Sequence, residues 1–192
     1  MKKITILMIL VFSIFSCDDI LKEVPKDRLS EANFYKTVSD GRAAVDAIYG
    51  VLSAGQLFAH QYLLQIEIPA DFAYGRGSTI PIGGEYTGLD AVNQRRVGLM
   101  WDYFYQAVNY ANIAIEKIPG IEGDESAKSL LVAEAKFLRA LCYYHLVRDF
   151  GAVPLRLNST DGDMARTPVA DVYNAVIADL QAAESGLPAS IT

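Results

Sequence analysis

Leu130-Leu131-Val132-Ala133-Glu134-Ala135-Lys136-Phe137-Leu138-Arg139-Ala140-Leu141-Cys142-Tyr143-Tyr144-His145-Leu146-Val147-Arg148 is the stretch that decides the fold. Leu130, Ala133, Phe137, Ala140, Leu141, Tyr144 and Val147 recur at helical spacing and share one face. From Phe137 onward Leu138, Cys142, Tyr143 and Leu146 make the opposite face apolar as well. A helix apolar on most sides must lie between neighbours, which places Phe137–Val147 at the centre of the core, with the Phe137 ring inside it. Asp124 is the expected N-cap, and the helix runs to about Asp149. Gly151 suits the left-handed position after the last turn, and Pro154 blocks resumption.

The flanking segments read the same way. Residues 95–118 put Trp101, Phe104, Tyr105, Val108, Ala111, Asn112 and Ile115 on one broad face, and Pro119-Gly120 stops that helix. Val169, Val172, Tyr173, Val176, Ile177, Leu180 and Ala183 form a last stripe, with Thr167 as cap and Pro168 at the first helical position. Upstream, Ser30 can cap a short turn through Tyr35. Ser39 or Asp40 can cap a helix whose buried face is Ala43, Ala44, Ala47, Ile48, Val51 and Leu52. Residues 55–94 lose all periodicity and carry five glycines between Gly75 and Gly88, with Pro69 and Pro81. Strand-like alternation is scarce. The fold class is therefore mainly all-α, a tetratricopeptide-like scaffold of helix pairs with a long irregular loop insertion. Small residues (Ala133, Ala140, Ala175, Ala182) stand at the helix contacts, without a strict textual repeat.

The N-terminus reads as an address. Lys2 and Lys3 precede the apolar run Ile4–Phe15, which is too short for a bilayer span of ~20 residues. It ends in Ser16-Cys17, a small residue before a cysteine, which is the pattern of a bacterial lipoprotein signal. Cys17 is thus the expected lipid-attachment site. Several acyl chains on one residue make a durable anchor where one alone holds marginally. Loss of Lys2 and Lys3 takes the net charge from −6 to −8, which disfavours contact with an anionic leaflet. The expected organisation is a signal peptide over 1–16, a tether over 17–27 and a helical domain over 28–192.

Composition and motifs narrow the chemistry. Of 192 residues 52% are hydrophobic and 21% charged, so the chain has a core to bury. An acidic balance excludes non-specific nucleic-acid binding. Two Cys exclude a disulfide scaffold and a four-cysteine zinc site, and two His leave little for a histidine-built metal centre. No phosphate-cradle, dinucleotide or zinc-protease motif is present, and no cofactor is expected. Glu67 and Asp71 stand at helical spacing, with nothing to put them across a sugar as a glycosidase requires. His145 and Cys142 read as a hydrogen-bonded core imidazole and an inert buried thiol. In contrast, Phe72, Tyr74 and Tyr86 lie off any periodic face in the glycine-rich loop. With Asp71, Arg76, Glu85, Asn93, Arg95 and Arg96 beside them, they supply the aromatic planes and polar groups that sugars need. The competing reading is that these rings only pin the loop.

These residues together resemble a known family. Ser16-Cys17-Asp18-Asp19, Ser30-Glu31-Ala32-Asn33-Phe34-Tyr35 and Ala47-Ile48-Tyr49 are similar to the start of SusD/RagB-family lipoproteins of Bacteroidetes. So are Trp101-x-x-x-Tyr105-x-x-Val108-Asn109-x-x-Asn112, the run Glu134–Ala140 through Tyr143-Tyr144 to Pro154-Leu155, and Arg166-Thr167-Pro168-Val169 through Asp179-Leu180. The resemblance implies a non-enzymatic protein on the outer face of the outer membrane, lipid-anchored, which captures glycans, or in some cases peptides. It implies a SusC-like TonB-dependent transporter as partner. Asp18-Asp19 fits the family's surface-export signal. Asp71 resembles an Asp that the family carries at the end of its second helical region, and Arg76, Tyr86 and Asn93 lie where ligand-side residues occur. Family members are more than twice this length, so the chain reads as an N-terminal portion. The alternatives are an adaptor lipoprotein holding only a protein partner and, with no catalytic set to support it, a lipid-anchored hydrolase.

Overall fold

The structure, a computed structural model, describes residues 34–70, 73–80, 85, 87, 88 and 90–190. Of the chain's two compact units, Met1–Phe34 and Tyr35–Thr192, every described element lies in the second. The signal peptide, Cys17, the tether and the Ser30 cap lie outside the described residues.

Five α-helices make up the described fold: α1 Val38–Leu52, α2 Gln61–Glu67, α3 Ala91–Lys117, α4 Glu125–Phe150 and α5 Val169–Gly186. Short 3₁₀ turns stand at Gly77–Thr79 and Ile118–Gly120. Among the described residues there is no strand, only isolated bridges pairing Thr37 with Glu122 and Val153 with Thr167. The class is the tetratricopeptide-like helical one expected from the sequence.

Local chemistry sets the helix ends. Thr37, not Ser39 or Asp40, is the N-cap of α1, and Asp40 is the other half of a capping box. The Asp40 carboxylate accepts from the Thr37 N–H at 2.8 Å, while Thr37 Oγ1 accepts from the Asp40 N–H. Asp90 caps α3 through the Asn93 N–H and Asp124 caps α4 through the Ala127 N–H, each at 2.8–2.9 Å. The last helix starts at Val169 with Pro168 as N-cap, one residue later than expected, because Thr167 is held in the bridge to Val153. Gly151 has φ +70°, so its lack of a Cβ is what lets α4 end there.

The central helix is α4, which packs against α5, α3 and α1. Its expected core side is buried only in part. Leu131, Ala135, Leu138, Cys142, Tyr143 and Leu146 are buried, whereas Leu130, Phe137 and Tyr144 are 38–40% exposed. Both apolar faces of this helix contribute to the core, since Ala133, Ala140 and Val147 of the first are buried too, and spacing alone does not say which members of a face meet a neighbour. On α1 the expected Ala44, Ile48, Val51 and Leu52 are buried and are joined by Val45, while Ala43 and Ala47 lie outside. Around Cys142, full burial pushes the thiol up to about 12, which keeps it protonated and inert.

Candidate functional site

The chain between α1 and α3 carries the candidate site, and two sets of contacts hold its described parts. The first is a group of rings. Phe58 and Tyr62 on the near side meet Phe104 of α3 and His145 of α4, with ring centroids 5.0–6.0 Å apart. Tyr62 Oη lies 2.6 Å from His145 Nδ1 and is hydrogen-bonded to Asp149. Burial pushes the Tyr62 hydroxyl up to about 12 and lowers His145, with Arg148 adding to the latter. His145 is therefore the hydrogen-bonded, part-buried imidazole expected from its apolar helix. What the sequence did not suggest is that it anchors α2, a seven-residue helix within the stretch read as irregular.

The second set fixes the segment leading into α3. The Arg76 N–H donates to Thr79 Oγ1 at 2.9 Å, and the Thr79 hydroxyl donates to the Arg76 carbonyl at 2.8 Å. Gly75 is required there, since a Cβ would stand 2.5 Å from the Thr79 carbonyl oxygen. Asn93 closes the arrangement. Its Nδ2 donates to the Ser78 carbonyl at 2.9 Å and to Asp90 Oδ1 at 2.8 Å, and its Oδ1 accepts from Arg96 Nη1 at 2.8 Å. Arg96 Nη2 also donates to Ser78 Oγ.

The expected site residues therefore separate. Asn93 is fully buried, and its amide is committed to the loop and helix around it. Tyr74 is 72% exposed, the most exposed large hydrophobic residue among those described, and Arg76 is exposed two residues on. Asp71, Phe72 and Tyr86 lie outside the described residues. Ser78 and Asp90 were not singled out from the sequence. The spacing Asp90-x-x-Asn93 is an N-cap signal that could have found Asp90 and, through it, the structural duty of Asn93.

Among the described residues no group of three or more His, Cys, Asp or Glu could hold a metal ion, and no helix is long and apolar enough to cross a membrane. The second irregular segment, between α4 and α5, is held tightly. Arg139 of α4 pairs with Asp179 of α5 at 2.7–2.8 Å through two nitrogens and donates to Asn112 Oδ1 and the Leu157 carbonyl. One turn on, the Tyr143 hydroxyl exchanges hydrogen bonds with the backbone of Arg156. Tyr105 donates to the Pro154 carbonyl. This explains the run from Arg139 to Leu155 as one device: polar side chains on an otherwise apolar helix satisfy the backbone of the loop laid over it.

The fold and site thus define a helix-pair scaffold protein of the tetratricopeptide-like kind, carrying an aromatic-tipped segment between its first and third helices. The chain belongs to the SusD-like family: residues 82–192 match the family model described as "Starch-binding associating with outer membrane". Two SusD-like proteins of Formosa agariphila are 32% and 28% identical over 98% and 95% of this chain. A solved laminarin-binding SusD-like protein superposes with a TM-score of 0.72 at 28% identity, over 82% of this chain and 36% of its own. A SusD superfamily protein of Bacteroides thetaiotaomicron gives 0.66 at 26% identity, over 80% and 36%. The chain spans 37–39% of the length of those two Formosa relatives and corresponds to their N-terminal portion.

Proposed function

We propose that this chain is the N-terminal helical domain of a cell-surface lipoprotein that binds glycans and delivers them to a SusC-like TonB-dependent transporter. Cys17 carries the lipid anchor in this reading, residues 1–16 are the signal peptide, 17–27 the tether, and the body faces outward from the outer membrane. It is a binding protein without a catalytic step. The observation that carries the reading is family membership together with the fold shared with a laminarin-binding neighbour.

Within this chain the glycan-side residues are Asp71, Tyr74, Arg76 and Tyr86. Tyr74 offers a ring face to the apolar side of a sugar, and Arg76 offers hydroxyl-directed donors beside it. Asn93 supports them by fixing the Ser78 carbonyl rather than by touching ligand.

Calorimetric titration with a glycan panel that includes laminarin tests this, using wild type, Tyr74→Ala and Asn93→Ala. Tyr74→Ala should weaken binding by about 1 kcal/mol, roughly fivefold in Kd, with unchanged helical circular dichroism. If no glycan binds the wild-type chain or a full-length relative, the glycan reading fails. If glycans bind but Tyr74→Ala changes nothing, Tyr74 is not part of the platform.

A further inference from the structure

Arginines with a structural duty are fully answered in this fold. Arg139 faces Asp179 through two nitrogens at 2.7–2.8 Å, and Arg42 meets Glu134 and Asp46 through all three of its guanidinium nitrogens. Arg156 and Arg166, on the segment between α4 and α5, are not. The Nε of Arg156 is buried with no hydrogen-bond partner, and its ion pair runs from Nη2 to Asp163 at 3.4 Å. The Asp163 side chain is fully exposed, so that pair is long, wet and weak. Arg166 is exposed and makes no ion pair among the described residues; its Nη1 donates to the Phe150 and Ala152 carbonyls at the end of α4.

The two guanidinium groups are gathered on one aromatic shelf. Arg156 lies over the Tyr105 ring and Arg166 over the Trp101 ring, each 5.6 Å from the centroid. Trp101 and Tyr105 are one turn apart on α3, with centroids at 4.9 Å. Burial pushes the Tyr105 hydroxyl up to about 12, and both arginines pull against that rise, so both charges act at one place. The shelf is braced. Phe150 meets Trp101 edge-on, Tyr105 donates to the Pro154 carbonyl, and the Tyr143 hydroxyl holds both backbone groups of Arg156.

Two like charges held on a fixed base repel each other, and the one carboxylate nearby answers only Arg156. An oxyanion seated between them would answer both. Guanidinium forks laid flat on rings are suited to that: they present paired N–H groups to a carboxylate or sulfate and lose little freedom on binding.

We propose that Arg156 and Arg166 form an anion-binding site that takes a carboxylate or sulfate group carried by a sugar, with Asp163 as the internal group that the ligand displaces. The ligand class is then an acidic oligosaccharide, uronate-bearing or sulfated. The sugar as carrier rests on the glycan reading above, whereas the anion rests on the arginine geometry.

Calorimetric titration of this chain tests the site with four probes: an oligogalacturonate, a κ-carrageenan oligosaccharide, a laminarin oligosaccharide and sodium sulfate alone. The proteins are wild type, Arg156→Gln, Arg156→Lys and Asp163→Asn. At least one acidic oligosaccharide should bind wild type. Arg156→Gln should weaken that binding about tenfold or more, and Arg156→Lys severalfold, because lysine keeps the charge and loses the fork. Asp163→Asn should tighten it about two- to fivefold by removing the internal competitor. Laminarin affinity should be the same in all four proteins. Asp163→Asn, at a fully exposed position, keeps the test decisive if Arg156→Gln does not fold. Acidic binding that Arg156→Gln and Asp163→Asn leave unchanged would overturn the proposal. Sulfate alone bound as tightly as the carrageenan fragment would overturn the sugar as carrier. Laminarin bound and neither acidic probe bound would overturn this site and leave the glycan reading standing, whereas no probe bound at all would overturn both.

Discussion

At the scale of single residues, the polar side chains inside the scaffold do the work that hydropathy does not show. Arg139 is buried at 7% exposure, yet both its charge and its hydrogen-bonding nitrogens are answered by Asp179, Asn112 and Leu157. Removing one partner of such a pair leaves an uncompensated charge in the core. Arg139→Ala should cost about 3–5 kcal/mol, measured by urea unfolding. Arg139→Met with Asp179→Leu should recover much of that loss, because an apolar pair needs no answering charge. The second case is Asn93. Asn93→Ala deletes the bridge from Asp90 to Ser78 and should cost about 1–3 kcal/mol with no ligand present. A variant as stable as wild type would return Asn93 to the ligand side, where the sequence alone had put it.

At the scale of elements, α2 is the instructive one. Seven residues are too few to hold a helix in water, where about 12–15 are marginal. Its stability is borrowed from the rings of Phe58, Phe104 and His145 and from the Tyr62–His145 contact. Tyr62→Phe keeps the ring packing and removes the hydroxyl, leaving His145 and Asp149 without that partner. Amide exchange over residues 57–68 should then quicken severalfold while α3, α4 and α5 keep wild-type protection. Uniform loss of protection would mean that α2 unfolds only with the whole domain. Residues 55–94 appeared featureless in sequence because the apolar positions of α2 answer to rings on distant helices and not to a periodic stripe of their own. The loop after α4 is tied down by polar side chains of helices that periodicity does locate, Asn112 and Tyr143 among them.

At the scale of the whole molecule, the titrating groups define how the scaffold responds to pH. His145 is lowered in the fold by burial and by Arg148, so below about 6.5 the unfolded chain takes up a proton that the folded chain resists. Stability should decline from there downward, and His145→Phe should remove this step. Asp40, Asp124 and Asp161 are lowered by hydrogen bonds from Thr37, Ser126 and Ala127, and the Asn158 and Leu157 backbone. Their contribution is present above pH 4 and is lost as pH falls through their depressed values. Asp149, raised by burial, acts in the opposite sense just above that range, where the folded chain takes up its proton before the unfolded chain does, so it opposes the decline between the two steps. Thermal melts from pH 8 to pH 3 should show two declines, the upper one absent in His145→Phe. A single decline below pH 4 in wild type would show that His145 is protonated equally in both states.

What the sequence determined by itself was the class of element and most of its limits. Helical spacing, the Asp124 cap and Gly151 are local properties, written into a few consecutive residues. They locate α4 to within about a residue and identify the fold class and family resemblance without coordinates. Only the tertiary structure decided which face of each helix is inside, because that depends on partners far along the chain. Phe137 and Leu138 are adjacent, equally apolar and equally helical, yet one is 39% and the other 1% exposed. The same holds for function at Asn93 and Tyr74. Both are plausible sugar contacts by residue type, but the Ser78 carbonyl lies against one amide while the other side chain stands in solvent. Side-chain chemistry is local, whereas availability to a ligand is set by whatever the fold has already placed beside it.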